Sequence, residues 1–231
     1  MTAPRSPQLR TLESWGAVFG SALILAALVI IWGARLSQGR DLYVSALGAA
    51  GEPTAGWFEG ALLLIVVGGS LIAYAARGIR SRIPILAVWA PAVSLWIGCG
   101  FFLVASQVSC TPGCPLPVGA NFNWQDLVHT VVAVLAFAAA CVAMLQVSFA
   151  VGHRSLARFS LGAAVAVAVI AGAGGILSLA QFQANFGSRL ELTATTIALG
   201  WLLTLGLVTA RRPASSTPIE PAELAAPLLV N

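Results

Sequence analysis

Charged side chains are scarce in this chain of 231 residues. Only 9% of the residues are Asp, Glu, Lys or Arg, whereas 58% are hydrophobic and the mean hydropathy is +0.90. A typical soluble domain is about a quarter charged, so this chain has too few charges to cover a globular surface in water. The composition excludes a soluble domain and a disordered chain, and it indicates a polytopic membrane protein.

Lysine is absent and cysteine is rare. All twelve basic residues are arginines, and the formal net charge is only +4. Four cysteines are too few for a secreted disulfide scaffold, so their positions matter more than their number. We expect membrane lipid as the partner of this chain, and no nucleic acid.

Long uncharged runs define the architecture. A helix needs about 20 apolar residues to cross roughly 30 Å of hydrocarbon. Six runs meet or approach this length, at 14–34, 57–76, 83–105, 127–151, 159–182 and 192–210. They predict an all-α bundle of six transmembrane helices over residues 14–212. A cytoplasmic segment (1–13) precedes the bundle, and a disordered cytoplasmic tail (213–231) follows it.

Glycines and one proline shape the predicted packing. Gly16 and Gly20 form a G-x-x-x-G pair in the first run, which we predict to pack within the bundle, because small residues let membrane helices approach closely. Pro91 falls inside the third run, where it predicts a kink.

The arginines predict the orientation. With the N-terminus inside, nine arginines lie on the cytoplasmic side and three lie outside, as the positive-inside rule requires. Both termini are then cytoplasmic, and the chain is a multi-pass protein of the cell membrane. Aromatic anchors fall at both interfaces, with Trp32, Trp57 and Trp124 outside and Trp15 and Tyr74 inside.

Nearly all the ionisable side chains that could enter the bundle lie at its predicted outer end. The helix middles hold only neutral polar groups, which argues against a proton pump or an ion-coupled carrier. The candidate ligand-binding residues are Asp41, Ser45, Glu59, Asp126, His129, Arg189 and Glu191. We predict that the first outer loop folds over this cluster, so that Asp41 or Ser45 meets His129 or Arg189.

Asp126, His129 and Ser45 are the candidate catalytic residues. Asp126 and His129 are three residues apart and share one helix face. Either Asp126 orients His129, which then acts as a base, proton relay or metal ligand, or Asp126 caps its helix and both pair with Arg189. Ser45 is the candidate nucleophile, although G-x-S-x-G is absent. We expect no metal or cofactor, because zinc needs three or four ligands and His153 is predicted on the opposite side.

Two cysteines lie in a predicted outer loop. Cys110 and Cys114 flank the turn former Pro112-Gly113, which favours a structural disulfide in an oxidising compartment. The alternative is redox catalysis, as in quinone-linked disulfide oxidases. Cys99 and Cys141 fall within spans and are interpreted as packing residues.

Several short motifs together resemble a known family. They are the loop Asp41-Leu42-Tyr43-Val44-Ser45-Ala46-Leu47-Gly48-Ala49, the Cys-x-x-x-Cys loop that leads into Asp126-Leu127-Val128-His129, and Ser188-Arg189-Leu190. With six helices, residues 12–212 resemble domain-of-unknown-function family 998 (DUF 998) of bacterial membrane proteins. More distantly, they resemble the Frag, DRAM and Sfk six-span type. The resemblance implies the fold and places Ser45, Asp126, His129 and Arg189 at motif positions, but it implies no activity.

The function that the sequence favours is binding of a lipid or small amphiphile at the outer polar cluster. The reason is a polar pocket with an arginine that opens into apolar helices. One alternative is a membrane-embedded lipid-modifying enzyme with His129 as base, which needs a nucleophile near the ring. The other is a small-molecule transporter, which needs a polar path across the midplane. The sequence identifies neither the ligand nor the oligomeric state.

Overall fold

The computed structural model describes residues 7–117, 122–150, 154–180 and 184–211, and these ranges form helices joined by loops. The six α-helices are α1 (Pro7–Ser37), α2 (Ala55–Ala76), α3 (Pro91–Gln107), α4 (Trp124–Ser148), α5 (Arg154–Leu179) and α6 (Ala184–Ala210). Two 3-10 helices lie in the connections, at Ser45–Gly48 and Pro84–Ala87. His153 and the predicted tail (213–231) lie outside the described residues, so their predictions stay predictions.

The helices confirm the predicted fold class, an all-α polytopic membrane bundle. Five of them are long and apolar enough to cross a membrane, namely Thr11–Ser37, Ala55–Ala76, Trp124–Ser148, Arg154–Leu179 and Asn185–Ala210. The third helix, α3, has only 17 residues. At 1.5 Å per residue it is about 26 Å long, a little less than the hydrocarbon thickness.

The shortness of α3 follows from Pro91. The sequence predicts a span over 83–105 with a kink at Pro91, but α3 begins at this residue, so the kink prediction is wrong. Proline has no N–H to donate, and its φ suits the first helical turn, so the start of a helix is a favourable position for it. The residues before it form the 3-10 helix Pro84–Ala87, in which no residue is buried.

Successive helices pack side by side in a ring. Each helix packs on the next along the chain, and α6 returns to contact α1. The second helix, α2, also contacts α6. Consecutive helices are antiparallel, as in other up-and-down bundles. Therefore α1, α3 and α5 end, and α2, α4 and α6 begin, at the same end of the bundle. We call this end the site end, because it carries the predicted polar cluster.

The contact between α1 and α2 depends on glycine. A Cβ atom on Gly20 would lie 2.7 Å from the backbone oxygen of Gly68, and one on Gly68 would lie 2.8 Å from that of Gly20. Both separations are too short for a real Cβ, so the two backbones meet where neither residue has a side chain. Gly16, the other member of the predicted pair, has open space around its Cβ position.

Hydrogen bonds between neutral polar groups join the helices. On the surface, Trp32 of α1 donates to Thr196 Oγ1 of α6 at 3.1 Å. In the interior, the fully buried Trp201 of α6 donates its indole N–H to Ser160 Oγ of α5 at 2.8 Å. A buried indole N–H needs an acceptor, because leaving it without one costs free energy. These bonds help to hold α5 and α1 against α6.

Candidate functional site

The α1–α2 loop forms an ordered cap over the site end. The Glu191 carboxylate of α6 accepts hydrogen bonds from the backbone N–H groups of Val44 at 2.7 Å and Ser45 at 3.4 Å. Within the cap, Leu47 is fully buried, and its carbonyl accepts from Thr54 Oγ1 at 2.9 Å. The predicted folding of this loop over the bundle is therefore confirmed, with Glu191 as its main anchor.

A compact ion cluster ties the same loop to two helices. One oxygen of Asp41 accepts from Arg35 Nη2 at 2.5 Å, and the other accepts from Arg189 Nη2 at 2.9 Å and Nε at 3.1 Å. Arg35 also donates to the backbone oxygen of Arg40. The pKa of Asp41 is lowered from its ordinary value of 3.8, mainly by the hydrogen bond from Arg189. Desolvation raises this pKa in part, and the hydrogen bond from Arg35 lowers it further. The predicted meeting of Asp41 with Arg189 is confirmed.

The first turn of α4 fixes the Cys-containing loop. Asn123 is the N-cap residue of α4, and its side-chain oxygen accepts from the Gln125 N–H at 2.8 Å. Gln125 Nε2 then donates to the Ser109 carbonyl at 2.6 Å. The two oxygens of Asp126 accept from the Thr111 N–H at 2.8 Å and from its hydroxyl at 2.7 Å.

These bonds correct both interpretations of Asp126. Its carboxylate neither caps α4 nor pairs with Arg189, which binds Asp41 instead. It does not orient His129 either, because its hydrogen bonds go to Thr111. The predicted shared face is correct, since Asp126 and His129 are both buried. A buried carboxylate needs strong hydrogen bonds, and the loop supplies them.

A disulfide closes the loop that Asp126 holds. Cys110 and Cys114 are bonded, as the sequence predicts, with their Cα atoms 4.9 Å apart. Between them the chain turns at Pro112-Gly113, with Gly113 at φ 81° and a Cys114 N–H to Thr111 carbonyl bond of 2.9 Å. A positive φ at this position is typical of a type II turn, which favours glycine. Cys110 is fully buried under the α1–α2 loop, where its carbonyl accepts from Ala50 at 2.9 Å.

His129 lies beside the disulfide with one ring nitrogen already committed. Nδ1 lies 2.6 Å from the backbone carbonyl of Val108. A carbonyl only accepts, so Nδ1 carries the proton, and the lone pair of a neutral ring is on Nε2. Within the described ranges, no hydrogen bond reaches Nε2. The Sγ atoms of Cys110 and Cys114 and a ring nitrogen of His129 all lie within 4.8 Å of one another.

Two adjoining cavities meet at His129. The first, which we call the polar cavity, has a volume of about 210 Å³, and its polar lining comes from Glu59, Ser106, Gln107, Ser109 and His129. The second, the apolar cavity, has about 90 Å³ of room and extends inward between α2, α3, α4 and α6. Its walls include Ile65, Leu95, Phe102, Phe137 and Leu202. Phe58, Leu62, Ala105 and His129 line both cavities.

The structure separates the predicted cluster into groups. Asp41 and Arg189 form the ion cluster, whereas Glu191 anchors the cap and lines the apolar cavity with Ser45. Glu59 is exposed at the start of α2 and lines the polar cavity. His129 lines both cavities, whereas Asp126 accepts hydrogen bonds from Thr111 and lines neither of these two cavities.

The catalytic alternative and the transport alternative remain predictions. Across the part of the chain that the structure describes, no hydroxyl or free thiol hydrogen-bonds to His129, and Ser45 reaches Glu191 through its backbone. The apolar cavity is lined mostly by hydrocarbon, which is unlike the continuous polar path that transport needs.

Sequence reasoning missed several residues of the site. Arg35 lies one and two helical turns beyond Ile31 and Ala27, and all three are buried on one face of α1. This spacing is visible in the sequence and could have placed Arg35 in the bundle. Asn123 likewise precedes the apolar run of α4, as an N-cap residue does. The Val108 carbonyl could not be predicted as the partner of His129, because every residue has a backbone carbonyl and the sequence does not distinguish this one.

Comparison with known proteins gives one family. The model of the family described as "Protein of unknown function (DUF998)" matches residues 17–208, which is most of the chain. The search of curated proteins and the search of solved structures each gave no match. The more distant similarity to the Frag, DRAM and Sfk type stays a prediction.

Proposed function

The chain belongs to the DUF998 family of proteins of unknown function, and from this premise we propose that it binds a lipid or small amphiphile at the site end. Membership of the family supplies a fold and no chemistry. The support for binding therefore comes from the cavities and charges of this chain itself.

The observation that carries the proposal is the pair of adjoining cavities. An amphiphile has a polar headgroup and an apolar chain, and it needs a polar and an apolar space in contact. The polar cavity offers about 210 Å³ beside Glu59 and His129, and the apolar cavity continues from it past Phe58 and Leu62. Ligand sites are commonly concave, mostly apolar spaces with a few convergent polar groups.

The charges favour a neutral or cationic headgroup. The sequence suggests that an arginine receives the ligand, but Arg35 and Arg189 both pair with Asp41. Among the residues that the structure describes, the charged one lining the polar cavity is Glu59, a carboxylate. An anionic headgroup would meet this like charge in the cavity without a facing arginine, so we propose an amine or a polyol instead.

We also propose that the site end faces outward from the bacterial plasma membrane. Nine of the twelve arginines then lie on the cytoplasmic side. The exposed Trp57 and Trp124 begin α2 and α4 at the site end, and Trp15 and Tyr74 are exposed towards the other end. Aromatic side chains at both ends of a bundle are typical of the two membrane interfaces.

Native mass spectrometry in mild detergent tests the proposal. The protein is titrated with single-chain amphiphiles of equal chain length that carry an amine, a glycerol or a carboxylate headgroup. The amine and the glycerol should be retained more than the carboxylate. Glu59→Gln should reduce the discrimination against the carboxylate, because it removes the charge that lines the polar cavity.

A matched pair of variants locates the bound chain. Ala136 is fully buried and lines the apolar cavity, whereas Ala138 on the same helix is exposed. Ala136→Leu should fill the cavity and lower retention by about tenfold, and Ala138→Leu should leave it unchanged. Ala105→Val, at a position shared by both cavities, replaces Ala136→Leu if that variant does not fold. Equal retention by the filled and control variants would refute binding in this cavity.

A further inference from the structure

We propose that Cys110, Cys114 and His129 form a zinc site when the disulfide between the two cysteines is reduced. The sequence argues against zinc by counting ligands, and it interprets the two cysteines as a structural disulfide or a redox pair. The fold brings both sulfur atoms and a His129 nitrogen within 4.8 Å of one another. Thiolate and imidazole are the ligands that zinc prefers in proteins.

The spacing of the three ligand atoms fits a tetrahedral ion. With Zn–S near 2.3 Å and Zn–N near 2.0 Å, the ligand atoms of a tetrahedral site lie about 3.5–3.8 Å apart. The nitrogen already lies within 4.8 Å of both sulfur atoms, and the sulfur atoms, which are now bonded to each other, have to separate to this spacing once the disulfide is reduced. Three protein ligands leave a fourth position for water, as in zinc sites that remain open to small molecules.

The hydrogen bond of His129 to a backbone carbonyl is typical of metal-binding histidines. A histidine ligand usually donates its second ring N–H to a carbonyl or carboxylate, which fixes the tautomer and the ring orientation. Nδ1 of His129 contacts the Val108 carbonyl at 2.6 Å, which leaves the Nε2 lone pair for a metal.

The loop keeps its shape by bonds other than the disulfide. Asp126 accepts two hydrogen bonds from Thr111, and Gln125 donates to Ser109. The Cys110 carbonyl accepts from Ala50, and the Cys114 N–H closes the turn on Thr111. The two sulfur atoms should therefore stay near His129 after reduction, so that little ordering is needed for metal binding.

The chemistry balances with a dithiol as reductant. The dithiol transfers two electrons and two protons to the Cys110–Cys114 bond and becomes a disulfide itself, which leaves two thiols in the loop. Zn²⁺ then displaces one proton from each thiol into solvent and forms two Zn–S bonds and one Zn–N bond. The disulfide form of the reductant reverses the exchange: it takes two electrons from the two thiolates and two protons from solvent, which re-forms the Cys110–Cys114 bond and releases Zn²⁺.

Metal titration of the full chain in detergent tests this site. The protein is reduced with a dithiol, desalted without oxygen and titrated with Zn²⁺, and with Co²⁺ as a spectroscopic substitute. The reduced protein should bind one ion per chain and show a thiolate-to-cobalt charge-transfer band, whereas the oxidised protein should not. Cys114→Ser should weaken binding by more than about a hundredfold, since loss of outer-shell partners alone costs about 10–100-fold.

Controls separate this site from other thiols. Cys99→Ser and Cys141→Ser remove the two free cysteines and should leave the cobalt spectrum unchanged. His129→Ala should retain a thiolate band of altered shape. The amphiphile experiment uses the oxidised protein, so either proposal can fail without the other.

A second measurement needs no variant. Zn²⁺ should protect Cys110 and Cys114 of the reduced wild-type protein from alkylation, as read by peptide mass spectrometry, and should not protect Cys141. The proposal is overturned if the two cysteines react equally fast with and without Zn²⁺, or if the oxidised protein binds Co²⁺ as well as the reduced protein does.

Discussion

Arg35 illustrates how a charge is accommodated at the end of a membrane helix. Its side chain is only 7% exposed, and the guanidinium donates to Asp41 and to the Arg40 carbonyl. Burying an unpaired charge is costly, whereas a paired and hydrogen-bonded charge is tolerated. Arg189 contributes from the surface, where it is 70% exposed and water weakens its ion pair. The single carboxylate of Asp41 thus joins the loop to α1 and α6.

Asp41 should make stability depend on pH. Its pKa is lowered in the folded chain, so its contribution is present at pH values above the unfolded pKa and is lost as the pH falls through the folded value. Asp41→Asn should lower the Tm at pH 7, and its difference from wild type should shrink below about pH 4. Circular dichroism melts across the pH range measure this effect.

A double-mutant cycle provides the control for this prediction. Arg189→Gln and Asp41→Asn remove the same pair, so the combined variant should lose less stability than the sum of the two single losses. Strictly additive losses would show that the pair contributes nothing in solution.

At the scale of elements, backbone contact between α1 and α2 replaces side-chain packing. Lipid tails provide no hydrophobic drive for helix association, so close van der Waals contact has to supply the attraction. Gly20 and Gly68 let the two backbones approach so closely that a Cβ on either residue would collide with the carbonyl oxygen of the other. Both glycines are buried.

One pair of alanine variants should distinguish the contact glycine from its neighbour. Gly20→Ala should destabilise the bundle by about 1–3 kcal/mol, because the new methyl group meets the Gly68 oxygen. Gly16→Ala, one turn away with open space at its Cβ, should be neutral or slightly stabilising, since alanine is the better helix former. Unfolding in mixed detergent measures both, and equal effects would contradict the assigned contact.

At the scale of the whole molecule, the α1–α2 loop covers the ring of helices at the site end. Val44 and Ser45 line the apolar cavity, and Glu191 holds their backbone N–H groups. Cys99 is buried in the same cavity, on α3. When the loop opens, the Cys99 thiol should therefore become accessible to solvent, although Cys99 and the loop lie in different parts of the sequence.

Thiol labelling measures this opening. In a Cys141→Ser background, Cys99 is the remaining free thiol. Glu191→Ala should raise its rate of maleimide labelling by about tenfold, because it removes two hydrogen bonds that contribute about 0.5–1.5 kcal/mol each, and 1.4 kcal/mol is tenfold. Thr193→Ala, at an exposed position of α6, serves as the control. An unchanged rate in Glu191→Ala would show that this carboxylate does not hold the cap closed.

Much of the fold was predictable because membrane crossing imposes a simple rule. Runs of apolar residues between charges located six helices, and short connections made neighbours antiparallel. The turn at Pro112-Gly113 likewise made the Cys110–Cys114 bond predictable. Pro91 was misread, because a run that lacks charges shows no boundary between a 3-10 turn and the helix that follows it.

The sequence by itself determined that the chain spans a membrane and that most ionisable residues able to enter the bundle lie at one end, because composition and spacing along the chain fix both. Only the tertiary structure decided the partners of those residues. Asp126 binds a loop threonine, Asp41 takes both arginines, and His129 lies against a disulfide and between two cavities. Such pairings depend on which loops fold over which helix ends, and many partners are backbone groups that every residue shares.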